Sequence, residues 1–176
     1  MRQHDSFSSD FTTMLNALAQ PGAFPFALPD SEVIEVMQTH ASAVLLAADR
    51  AYKLKKPKNF GFFDYSTPAL RRHFCGQEVL LNRRLAPHVY LGVAPVLCYA
   101  DGRLRFGPAS SPEKVAMPGA VVERGTVVDY AVVMARLPNE ATLEYLVRAG
   151  TATPELLAAI ARYVAKFHAS TPTSEH

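Results

Sequence analysis

The spacing of apolar residues predicts strands in the first part of the chain and helices in the last part. Residues 9–19 place apolar side chains at helical intervals and stop at Pro21-Gly22, which predicts a short packing helix. Between residues 33 and 56 the pattern favours three short strands, in VIEVMQTH, AVLLAADR and AYKLKK, with a tight turn at Ala-Asp-Arg.

The middle of the chain predicts one long helix and then a strand hairpin. Thr67 supplies an N-cap oxygen and Pro68 a pre-set first helical position, so a helix is expected from residue 68 to about residue 85. Two strands, GVAPVLCYA and RLRFG, follow and are joined by Asp101-Gly102, which is typical of a hairpin turn. Residues 108–125 read as a loop.

A last strand, VVDYAVVMARL, precedes two predicted helices. The first is expected over residues 139–150, with Asn139 as cap and Gly150 just past its end, and the second over residues 154–169. Strands first and helices last is the α+β pattern, and the hairpins require antiparallel pairing. A doubly wound parallel sheet is therefore not expected.

A carboxylate falls on the predicted core-facing side of the long helix. Glu78 lies in the middle of an apolar stripe formed by Leu70, Phe74, Leu81 and Leu85. Burying a carboxylate is costly unless a cation meets it. In the alternative, the helix is rotated, Val79 and Leu80 supply the apolar face, and Glu78 is solvated.

The strand AYKLKK offers the matching cation. Alternation places Ala51, Lys53 and Lys55 on one face of this strand. The small Ala51 leaves room for a flat base, and Lys53 can reach a phosphate. We therefore predict an ion pair between Lys53 and Glu78, with Lys55 as the competing lysine because it shares the face.

A lysine on a strand, a loop and a glutamate on the next helix is the order of the ion pair in protein-kinase-like folds. The segments KLKKPKNFGFFDYSTPALRRHFCGQEVLLNRRLAP and HVYLGVAPV resemble the N-terminal region of a bacterial aminoglycoside-phosphotransferase-like family. That family often carries its kinase-like domain ahead of a P-loop ATPase domain. The resemblance covers about residues 30–170. It implies a kinase-like N-lobe, an antiparallel sheet plus one long helix, followed by the first helices of a C-lobe.

The resemblance also implies ATP as ligand and assigns roles by position. Lys53, or Lys55 in its place, would orient the phosphates, and Glu78 would hold that lysine. The adenine would face the backbone of Met134, Ala135, Arg136 and Leu137. The domains expected are residues 1–29 as an N-terminal helix and linker, 30–137 as the N-lobe and 138–176 as the start of a truncated C-lobe.

Two family features are missing from the sequence. No His-Gly-Asp or Asp-Phe-Gly triplet occurs, so neither a catalytic residue nor a ligand for the Mg²⁺ that accompanies ATP is expected in this chain. The turn over residues 39–42, where such folds place the phosphate-covering loop, lacks glycine. We expect the ATP-binding portion of a phosphotransferase (kinase) for a small-molecule acceptor, without its catalytic loop.

The alternative function is a non-catalytic interaction or regulatory module. An incomplete kinase fold would leave apolar residues of the last two helices uncovered and would favour a partner or self-association. The residues concerned are Leu143, Leu146, Ile160 and Phe167.

Composition and charge bear on the class of protein and on its partners. An apolar fraction of 49%, a charged fraction of 19% and a net charge of +2 are those of an ordinary soluble domain. Residues 50–84 hold nine Lys/Arg and two acidic residues, which a phosphate-facing strand and a solvated helix face explain without nucleic acid. No signal peptide or membrane-length apolar run is visible, so we expect a cytoplasmic protein without a membrane partner.

Overall fold

The computed structural model describes residues 3–171, with side chains from residue 10 onward. The chain divides into two compact units, Met1–Arg136 and Leu137–His176. The first unit contains every strand of the described part, and the second contains helices only.

The first unit is built on one antiparallel sheet. In the described residues it has seven strands in the order β1-β2-β3-β7-β4-β5, and β6 pairs with β7. The strands are β1 Glu35–Gln38, β2 Ser42–Ala47, β3 Arg50–Lys55, β4 Tyr90–Cys98, β5 Leu104–Phe106, β6 Val121–Val122 and β7 Gly125–Ala135. The two helices are α1 Gln3–Leu18 and α2 Pro68–Asn82. The α+β prediction and the antiparallel pairing are confirmed, whereas β6 lies in a segment predicted as loop.

Helix α1 covers one face of the sheet. Its side chains Phe11, Leu15 and Leu18 are buried against alternate residues of the central strands. A short 3-10 helix, Pro21–Ala23, follows and places Phe24 against Tyr52, with ring centroids 5.2 Å apart. The predicted N-terminal helix is therefore present, and it forms part of the core of the first unit.

Helix α2 covers the other face of the sheet. It begins as predicted, since the Leu70 amide donates to Thr67 Oγ1 at 3.2 Å. The predicted apolar stripe is wrong, because Leu81 is 55% exposed, and the buried positions of the helix include Arg71, Cys75 and Val79. The helix is rotated from the predicted orientation because a buried arginine occupies its core-facing side.

A buried ion pair fixes this rotation. Arg71 Nε donates to Asp129 Oδ1 on β7 at 2.7 Å, and both side chains are almost inaccessible to solvent. Arg71 Nη1 also donates to the Tyr65 carbonyl at 2.8 Å. One side chain thus joins α2 to the sheet and to the loop that precedes the helix.

The second unit consists of α3 Leu143–Arg148 and α4 Pro154–Ser170, preceded by a 3-10 helix, Asn139–Ala141. The predicted helix over residues 139–150 is wrong at its start: Thr142 caps α3, because its Oγ1 accepts from the Tyr145 amide at 3.2 Å. Gly150 ends this segment with a φ of 69°, as predicted. Within the described residues, no helix combines the length and apolarity needed to cross a bilayer.

Candidate functional site

The two lysines of β3 converge on one carboxylate of α2. Lys53 Nζ lies 2.8 Å from Glu78 Oε1, and Lys55 Nζ lies 2.7 Å from Glu78 Oε2. Strand alternation places both lysines on the face of the sheet that α2 covers. The predicted contact between Lys53 and Glu78 is present, and the competing lysine makes the same kind of contact instead of replacing it.

The three side chains differ in their access to solvent. The Lys55 side chain is 4% exposed and that of Glu78 is 14% exposed, whereas that of Lys53 is 30% exposed. Lys55 Nζ also lies 4.8 Å from the ring centroid of the buried Tyr65, within cation–π distance. Lys55 is therefore enclosed on two sides, while the Lys53 side chain is the most accessible of the three.

The pKa directions agree with a charged cluster. Burial works against the charged form of Glu78, but the charge of Lys55 and hydrogen bonds from both lysines outweigh it, so the pKa of Glu78 is lowered. Burial also opposes the charged form of Lys55, yet the Glu78 carboxylate outweighs it, so the pKa of Lys55 is raised. With two ammonium groups and one carboxylate, the cluster carries one net positive charge at neutral pH.

Ala51 and Met134 lie beside this cluster. Ala51 is two residues before Lys53, is buried, and pairs with Met134 of β7. Met134 is half-buried and pairs on its other side with Tyr90 of β4. Ala51 is thus the small residue of this row, beside the larger Met134 and Tyr90.

The segment predicted to face an adenine is already hydrogen-bonded. The Ala135 amide donates to the Val89 carbonyl at 2.8 Å, and the Arg136 amide donates to the Asp49 carbonyl at 2.7 Å. A base would therefore have to bind other backbone atoms of this segment. The side chains of Arg136 and Leu137 are exposed.

The turn between β1 and β2 is closed by its own hydrogen bonds. The Thr39 amide donates to the Ser42 carbonyl at 2.9 Å, and the Ser42 amide donates to Thr39 Oγ1 at 3.1 Å. The turn contains no glycine, and these bonds occupy two of its amides. It therefore does not form a glycine-rich cradle of the kind that wraps phosphates.

An aromatic loop adjoins the site. The Pro, Gly and aromatic-rich composition of residues 57–66 predicts a loop there, whereas the contacts among its rings were not predicted. The rings of Phe60, Phe63 and Tyr65 contact one another, and His40 of the β1–β2 turn packs on Phe60 with centroids 5.0 Å apart. The dense aromatic run in NFGFFDY was the available signal. The buried pair of Arg71 and Asp129 was also missed, although an aspartate inside the apolar run VVDYAVV indicated that a cation must meet it.

The site presents one partly exposed cation, Lys53, to an anion. Among the described residues, no group of three or more His, Cys, Asp or Glu side chains could hold a metal ion. Within the cluster, Lys53 can bind an anion while Glu78 holds Lys53 and Lys55 holds Glu78.

The chain is similar to uncharacterized mycobacterial proteins. A protein of Mycobacterium tuberculosis and one of Mycobacterium bovis are each 34% identical to it over 139 residues. These matches cover 79% of this chain and 23% of each relative, so the chain matches about a quarter of the length of those proteins. No protein-family model matches the chain, and no solved structure matches it.

Proposed function

We propose that the first unit binds the phosphates of ATP, as the nucleotide-binding portion of a kinase-like phosphotransferase acting on a small-molecule acceptor. In this proposal the sheet with α2 is a kinase-like N-lobe, and α3 and α4 are the first helices of a C-lobe. The catalytic aspartate and the Mg²⁺ ligands belong to parts of such an enzyme whose motifs do not occur in this sequence.

The observation that carries the proposal is the ion pair between Lys53 and Glu78. In protein kinases the phosphate-binding lysine lies on the third strand and is held by a glutamate of the following helix. Here Lys53 lies on β3, Glu78 lies on the next helix, and their charged atoms are 2.8 Å apart. The arrangement supports the same division of labour between the two side chains.

Exposure favours Lys53 over Lys55 as the lysine that receives the phosphate. A ligand oxygen needs access to the lysine, and the Lys53 side chain is the more exposed of the two, at 30%. Lys55 is 4% exposed and packs on Tyr65, so it serves to hold Glu78. The second lysine keeps the glutamate ionised and fixed while Lys53 is shared with a ligand.

The proposal is tested by calorimetric titration of the chain with Mg-ATP. We expect the Lys53→Ala variant to bind about tenfold more weakly or worse, because it loses a charge-assisted hydrogen bond to phosphate. Lys114→Ala is the matched control, since Lys114 is an exposed lysine outside the site. Absence of any heat with Mg-ATP, or equal binding by Lys53→Ala and the unaltered chain, would contradict the proposal.

A second function, a non-catalytic interaction module, is favoured by the apolar surface of the second unit. No residue of α3 or α4 is buried, and Leu143 and Ile160 are exposed, while Leu146 and Phe167 are half-buried. Other exposed apolar residues of these helices are Tyr145, Val147, Leu157, Tyr163 and Val164. Uncovered apolar surface of this kind marks contact sites in many proteins.

Light scattering separates the two functions. If the second unit is a self-association module, the chain forms oligomers at micromolar concentration, and Ile160→Glu shifts it to monomer because the charge cannot be buried in an apolar interface. Glu155→Gln, at the exposed start of α4, is the control and leaves the oligomer intact. A monomer at all concentrations that binds Mg-ATP would count against the module.

A further inference from the structure

A cavity of about 320 Å³ lies between the segment that follows α1 and the edge strand β5. Its volume is at the small end of the range for ligand sites, about 300–1,000 Å³. Six of its nine lining residues have apolar side chains, and the larger of these are Pro21, Phe24, Phe26 and Leu28. None of its lining residues belongs to the cluster of Lys53, Lys55 and Glu78.

Arg105 brings a cation to this apolar wall. Its Nε atom is buried and has no hydrogen-bond partner, and Nη2 makes a long bond of 3.3 Å to the Phe24 carbonyl. Within the described part of the chain, no carboxylate lies within ion-pair distance of its guanidinium. Leaving a buried donor unpaired is costly, and few native groups are left in this state.

The guanidinium is weakly held in its present position. A single long hydrogen bond is easily exchanged, so a small rotation can turn the Nε and Nη2 edge towards the cavity. That edge carries two parallel donors, which match the two oxygens of a carboxylate. A carboxylate ligand would therefore satisfy the unpaired Nε and replace the weak bond to Phe24.

A second charged residue in the wall, Asp30, favours a ligand with only one negative group. Asp30 also lines the cavity, and its carboxylate disfavours a second anionic group close by. The apolar side chains favour a hydrocarbon body on the ligand. We propose that this cavity binds a small monocarboxylate with an apolar body, which Arg105 recognises.

Calorimetric titration of the chain with 3-phenylpropionate tests the proposal. We expect the acid to bind, and its neutral amide, 3-phenylpropanamide, to bind about tenfold more weakly or worse because it cannot pair with the guanidinium. Phenylsuccinate, with two carboxylates, should also bind more weakly than the monoacid because of Asp30. No binding of the acid at millimolar concentration, or equal binding of acid and amide, would overturn the proposal.

Variants localise the binding. Arg105→Gln should lose about tenfold or more in affinity for the acid, whereas Arg103→Gln, an exposed arginine on the same hairpin, should retain it. Gly22 lines the cavity, and a Cβ there meets nothing within 4 Å, so Gly22→Leu should fill the space and abolish binding, while Gly22→Ala should not. Full binding by both Arg105→Gln and Gly22→Leu would place the ligand elsewhere and contradict the proposal.

The two variants also guard against a folding artefact. If Arg105→Gln melts at a lower temperature than the unaltered chain, Gly22→Leu still tests the cavity, because it leaves Arg105 in place. Mg-ATP titrations of both variants distinguish this site from the first, since we expect them to bind nucleotide like the unaltered chain.

Discussion

At the scale of single residues, the cluster on β3 and α2 is stabilised by having two lysines for one carboxylate. A buried carboxylate with one partner is sensitive to the loss of that partner, because the remaining charge is left without compensation. Glu78 has a separate lysine on each oxygen, Lys53 on Oε1 and Lys55 on Oε2. A ligand can therefore draw on Lys53 while Glu78 keeps a charged partner in Lys55.

Glu78→Gln should make the stability of the protein less dependent on acid pH. The pKa of Glu78 is lower in the folded chain than its ordinary value of 4.5, so the unfolded chain binds more protons between the two values and stability rises with pH there. The contribution of Glu78 is thus complete above about pH 4.5 and is lost as the pH falls through the lowered pKa.

We expect the variant to lose about 1–3 kcal/mol at pH 7, less than for a fully buried pair because Lys53 is partly exposed. Urea unfolding at a series of pH values measures the difference between the two proteins. It should shrink below pH 4.5, while Glu32→Gln, a glutamate outside the cluster, serves as control. A difference that stays constant down to pH 3 would disprove the assigned role of the carboxylate.

At the scale of elements, α2 is positioned by polar contacts as much as by apolar packing. Its start was predictable because Thr67 and Pro68 are a local signal that needs no tertiary information. Apolar spacing left its rotation open between two faces, because Arg71 occupies a buried position that only the distant Asp129 makes tolerable. Pairing between residues so far apart in sequence leaves no periodic pattern.

Arg71→Ala should destabilise the protein by about 3–5 kcal/mol, because it leaves the Asp129 carboxylate buried without a counter-ion. The loss should be seen in urea unfolding at neutral pH. The double variant Arg71→Met with Asp129→Leu removes both charges and should recover most of this stability, since an apolar pair needs no compensation. A single variant that costs less than about 1 kcal/mol would show that the pair does not fix the helix.

The helices of the second unit show the same limit of local signals. Thr142 and Asn139 are both cap-forming residues, and the sequence alone favoured Asn139. In the structure residues 139–141 form a 3-10 turn, and Thr142 takes the cap of α3. The presence of a helix here was predicted. Its first residue depends on which of the two cap-forming residues, Asn139 or Thr142, the chain uses.

At the scale of the whole molecule, the α+β class followed from hairpins and cap signals that act over a few residues. The position of β7 between β3 and β4 is a long-range pairing, and the pattern of one strand does not specify it. The cavity beside Arg105 depends on a loop and an edge strand that lie about 80 positions apart in the sequence. The lysine–glutamate contact was predictable because strand alternation and one unusual carboxylate restricted the choices to two lysines.

Cys75, a buried residue of α2, can report how often this helix separates from the sheet. Burial raises the pKa of its thiol to about 12, so almost no reactive thiolate exists while the helix covers the sheet. Its alkylation at neutral pH must therefore wait until this layer opens, whereas the other cysteine, Cys98, is only half-buried. The labelling rate of Cys75 thus reports how often α2 leaves the sheet, and a ligand bound by Lys53 would slow that labelling by mass action.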